Sequence, residues 1–107
     1  MANFQAVLNE IKTGSIQIAQ NEGGGLIGQV QADGEAFANA MKADLQLWTQ
    51  QVTSGALSKA DFEFLVRGKR DLATMNALTE AGAAQATVDR VRSQLVNLVI
   101  TAAFKAV

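Results

Sequence analysis

The chain has 107 residues, a formal net charge of −1, and no proline, cysteine, histidine or tyrosine. These absences remove disulfides, thiolate chemistry, cysteine metal sites, the usual general base and the commonest transition-metal ligand. Hydrophobic residues make up 49 % but aromatics only 6 %, so small aliphatic side chains among good helix formers predict one all-α domain over residues 1–107.

The first predicted helix runs over residues 3–20, with Phe4, Val7, Leu8, Ile11 and Ile18 at helical spacing and Ser15 filling the gap in the stripe. Asn21-Glu22-Gly23-Gly24-Gly25 breaks it. A phosphate cradle is not expected there, because the nucleotide-loop spacing and its lysine are missing. Residues 26–53 follow as one helix carrying Ile27, Val30, Phe37, Met41, Leu45, Trp48 and Val52, roughly 40 Å long at 1.5 Å per residue. Gly55 is placed for a left-handed cap. Ser58 is an N-cap for a third helix over 58–81, with Asp61 and Glu63 meeting its dipole. A fourth, over 84–106, carries Val91, Leu95, Leu98 and Ala102. Its stripe is out of phase with that of helix three by roughly 80°, which predicts a break or kink at Gly82. The expected architecture is an antiparallel bundle of three to four helices, oligomeric.

Small residues form a second stripe. Gly28, Ala32, Ala36 and Ala40 recur on helix two, and Ala73, Ala77, Ala81 and Ala84 on helix three. If the two helices fold back around Ala56, residue i lies opposite roughly 112 − i, and Ala36 comes near Ala77 with the backbones closely packed. Alanine as a good surface helix former is the competing reading, and it outweighs the pairing.

Charge is divided unevenly: residues 1–57 carry a net −3 and residues 58–107 a net +2, which favours association between the halves. Arg67, Lys69, Arg70, Arg90 and Arg92 form a candidate basic patch, but Asp61, Glu63, Asp71 and Asp89 interleave with it. Nucleic acid is therefore a disfavoured partner. Asp33-Gly34-Glu35 is only a fragment of a calcium loop, its remaining ligands being absent.

The helix ending at Phe104 is apolar on more sides than a small core needs, so it is either buried nearly all round within the chain or, as the favoured reading, covered by a partner. Trp48, Phe37, Met41, Val91, Leu95, Leu98, Val99 and Phe104 are the candidate interface residues. Insertion into a membrane surface is disfavoured, since Arg90, Arg92 and Lys105 make no strongly basic face. The N-terminus shows no secretory signal, which reads as a cytoplasmic chain with leaderless export left open. Helical hairpins of the WXG type have similar length, but Trp48-Thr49-Gln50 stands where Trp-x-Gly is required.

Together these features predict a non-enzymatic assembly or adaptor protein with no catalytic residue, metal or cofactor. It would act through self-association or a partner helix. The alternative is a peripheral membrane- or granule-surface protein using the C-terminal helix.

Overall fold

Gly23 and Gly24 take φ angles of 103° and 81°, a left-handed backbone that glycine adopts without strain. They fold α1 (Phe4–Asn21) back onto α2 (Ile27–Ala40). The computed structural model describes residues 4–106, so the expected helix start at Asn3 lies outside the described residues. After α2 come α3 (Lys42–Ser54), α4 (Lys59–Gly68), a 3₁₀ turn at Arg70–Leu72, α5 (Asn76–Glu80) and α6 (Gln85–Ala106). No strand occurs among the described residues.

Val7, Ile11, Ser15 and Ile18 line one side of α1, as the spacing predicts, and all four are buried. They face Val30, Phe37 and Ala38 of α2, and Val88, Val91, Leu95 and Val99 of α6. Burying each of the larger aliphatic side chains contributes about 1.5–3 kcal/mol. Helix α6 runs antiparallel to α1, with Lys105 paired to Glu10 at 3.1 Å and Arg90 paired to Glu22 at 2.7 Å.

Two of the expected helices are divided. The helix expected over 26–53 is interrupted at Met41, where φ −99° and ψ 6° depart from helical values. The hydrogen-bond ladder nevertheless continues, from Met41 N–H to the Phe37 carbonyl and from Leu45 N–H to the Met41 carbonyl. The helix expected over 58–81 ends at Gly68, and only α5 resumes it. Met75 precedes α5 in the left-handed region, with φ 59°, a conformation that an unbranched side chain adopts at some cost. Gly82 has φ 83° and separates α5 from α6, at the predicted break.

Close helix approach occurs at other glycines than those expected. A Cβ at Gly14 would lie 2.5 Å from Leu98 Cδ1. At Gly34 it would meet Ile11 Cγ2 at 3.0 Å, Leu95 Cδ2 at 3.1 Å and Ser15 Oγ at 3.2 Å. Gly28, Ala32, Ala36 and Ala40 instead face solvent, as surface helix formers. Ala73 is buried in the connector, Ala77 is half-buried and Ala81 is exposed. The expected pairing of small stripes is thus corrected. Asp33 meets Ala77 and Leu78, but α2 turns a face other than its small stripe to α5.

Candidate interaction surface

Five of the eight candidate interface residues sit inside the chain's own core. Phe37, Met41, Val91, Leu95 and Val99 are fully buried, while Trp48, Leu98 and Phe104 are half-buried against that core. The physical reason is the close approach at Gly14 and Gly34, which lets α6 sink against α1 and reach α2. Phe104 also packs on Phe62 with ring centroids 5.2 Å apart. Helix α6 keeps no broad bare apolar side for a partner or a membrane. No helix of the described residues is long and apolar enough to cross a bilayer.

The five candidate basic residues do not form one patch. Arg90 grips Glu22, its Nε donating to both carboxylate oxygens at 3.1 and 3.3 Å and its Nη2 to Oε1 at 2.7 Å. These hydrogen bonds, with the guanidinium charge, hold the Glu22 carboxyl below its ordinary value. Arg92 donates from Nε to the Ala73 carbonyl at 3.0 Å and from Nη1 to Asp89 at 3.0 Å. It thereby ties the connector before α5 to α6. The opposite charges of the two halves meet within one chain, at Glu22–Arg90 and Glu10–Lys105.

What remains is a basic corner at the end of α4. Arg67, Lys69 and Arg70 are exposed, and among the described residues Arg67 pairs only with Glu63, at a long 3.4 Å. Arg67 and Arg70, with Ser93, Val96 and Asn97, line an open cleft of about 160 Å³ against α6.

The most exposed large apolar side chain among the described residues lies on the same helix. Phe64 is 77 % exposed, against 50 % for Leu47 and 40 % for Leu72. Its position follows from the helical period. Phe62 and Val66 are fully buried, and a residue two positions from each points about 160° away from both. Ala60, Asp61, Arg67 and Gly68 fall within about 60° of Phe64, and all four are exposed. The Ser58 hydroxyl caps the first turn, accepting from Asp61 N–H at 3.0 Å. A Cβ at Gly68 would meet nothing within 4 Å. The outer face of α4 is therefore a ring set among small and oppositely charged neighbours, on a helix fixed from below.

Sequence reasoning passed over this face. The signal was present in Phe62-Glu63-Phe64, where two phenylalanines at a spacing of two cannot both point into the core from a helix. Asp33 stood out in the sequence only as a fragment of a calcium loop, whereas it is buried and bonded to α5. Among the described residues no three carboxylates gather as metal ligands would. No family model, curated protein or solved structure matches the chain.

Proposed function

We propose that this chain is a non-enzymatic assembly or adaptor module that packs a helix face against another helix, in a second copy or in a partner protein. The observation that carries the reading is Phe64, 77 % exposed on a helix whose opposite side is locked into the core by Phe62 and Val66. Covering one such ring is worth about 1.5–3 kcal/mol. Because α4 is already capped and anchored, a partner meets a preformed surface and little ordering cost opposes binding. The apolar side chains of α6 lie in the core, so the surface role moves from the C-terminal helix to α4.

The test is a photo-crosslinking residue placed at position 64 in the cells that make the protein, with position 13, exposed on α1, as control. Protein adducts at 64, whether to itself or to another chain, and none at 13 support the reading. No adduct at 64, or equal adducts at both positions, overturns it.

A further inference from the structure

We infer that the partner of the Phe64 face is a second copy of this chain, docked with the two α4 helices antiparallel across a two-fold axis through Phe64. The inference rests on the interaction reading above and names its occupant.

The argument is the order of residues on that face. A two-fold axis perpendicular to a helix at residue 64 places residue 64 + k of one copy opposite residue 64 − k of the other, as an isologous interface requires. At k = 3, Arg67 meets Asp61. At k = 4, Gly68 meets Ala60, and at the centre the two Phe64 rings meet. The exposed face thus reads small, acidic, aromatic, basic, small, which is complementary to itself reversed. A parallel arrangement would set Asp61 on Asp61 and Arg67 on Arg67, so charge fixes the orientation.

Both charges are free to exchange partners. The Asp61 carboxylate has no ion pair among the described residues, and Arg67 holds Glu63 only at 3.4 Å with about half of each side chain in solvent (52 % and 43 % exposed). Ala60 and Gly68 leave room beside the two Phe64 rings, which hold the helix axes near the wide end of the usual 8–10 Å. With Cα atoms about 2.3 Å from each axis, the two on-axis Cα atoms are then about 5.4 Å apart. Helix α4 is ten residues, or about 15 Å long, so the contact belongs among small, reversible interfaces.

The experiment uses the purified full-length chain in sedimentation equilibrium, from micromolar to near-millimolar concentration. The wild type is expected to show a reversible monomer–dimer equilibrium. Phe64→Ser, Asp61→Arg and Arg67→Asp are each expected to raise the dissociation constant by about tenfold or more. The double variant Asp61→Arg/Arg67→Asp is expected to restore it, because both cross-axis pairs reform with signs exchanged. Because the chain has no cysteine, Phe64→Cys is expected to form a disulfide-linked dimer on oxidation, since the on-axis distance fits that bond. Leu47→Cys is the control and is expected to stay largely monomeric.

A dimer indifferent to Phe64→Ser, or one not rescued by the charge exchange, overturns the inference. A chain that stays monomeric throughout also overturns it. In that event, adducts from position 64 to a different protein would leave the interaction reading standing. Absence of any adduct would remove both.

Discussion

Both carboxylate oxygens of Asp33, on α2, accept hydrogen bonds from the first turn of α5: Oδ1 from Ala77 N–H and Oδ2 from Leu78 N–H, each at 2.9 Å. The usual capping position before α5 is Met75, whose side chain offers no such bond. A helix of five residues is too short to hold itself, so α2 supplies the acceptor that its own N-cap lacks.

Asp33→Ala is accordingly expected to lower unfolding stability by about 2–4 kcal/mol, the loss of two hydrogen bonds to a charged group. Asp33→Asn keeps one acceptor oxygen and is expected to lose roughly half as much. Urea denaturation measures the difference, and hydrogen exchange should speed at residues 77 and 78 before the rest of the chain. Unchanged exchange there would show that the cap does not hold α5.

Gly34 and Ala36 lie two residues apart on α2 and should respond in opposite ways to the same replacement. Gly34→Leu drives a side chain into Ile11, Leu95 and Ser15, each 3.0–3.2 Å from a single added Cβ. The expected cost is about 3 kcal/mol or more, at the upper end for overpacking. Ala36→Leu points into solvent and should change stability by less than about 0.5 kcal/mol. Thermal melts of the two variants decide it, and equal losses would contradict the packing described.

Much of the fold was legible because it is local. The stripe from Val7 to Ile18, the glycine turn, the left-handed Gly55 and the Ser58 cap each follow from residues within a few positions of one another. The division of the third helix was not legible, since nothing near Gly68 forbids helix and the arrangement of the connector depends on Arg92, 19 residues beyond Ala73. Asp33 acts 44 and 45 residues away, so no local pattern marks it. The burial of Phe37, Met41, Val91, Leu95 and Val99 within the chain was not legible for a different reason: the apolar excess on α6 is more than a loose core needs, while Gly14 and Gly34 allow a tighter one. Of the basic residues, only charge was visible in sequence. Which of them already hold a carboxylate was not.

The Glu22–Arg90 pair makes a pH-dependent contribution. Its carboxyl is lowered from an ordinary 4.5 in the folded chain, so the folded state favours the ionised form. That contribution is complete above pH 4.5 and is lost as pH falls through the lower folded-state value. Glu22→Gln removes it, so the gap in urea midpoint between wild type and variant should narrow on acidification. Arg90 is more than half exposed, and added salt should narrow the gap as well. A gap that widens toward acid would reverse the assignment.

Ser15 is fully buried on α1, and its Oγ has no hydrogen-bond partner among the described residues. An unsatisfied buried hydroxyl is costly, whereas alanine suits both a helix and this space. Ser15→Ala should therefore raise stability by about 1 kcal/mol, read as a higher urea midpoint with unchanged slope. A loss would mean that the hydroxyl is satisfied in solution.

Gly14 and Leu98 stand in van der Waals reciprocity: one has no side chain where the other ends, and an added Cβ would fall 2.5 Å from Leu98 Cδ1. The two positions therefore share one volume and form a single heritable unit. A lineage descending from this chain can enlarge position 14 only by trimming or turning aside position 98. The record of that constraint would be a larger residue at position 14 in company with a smaller or re-oriented one at position 98, 84 residues away in sequence.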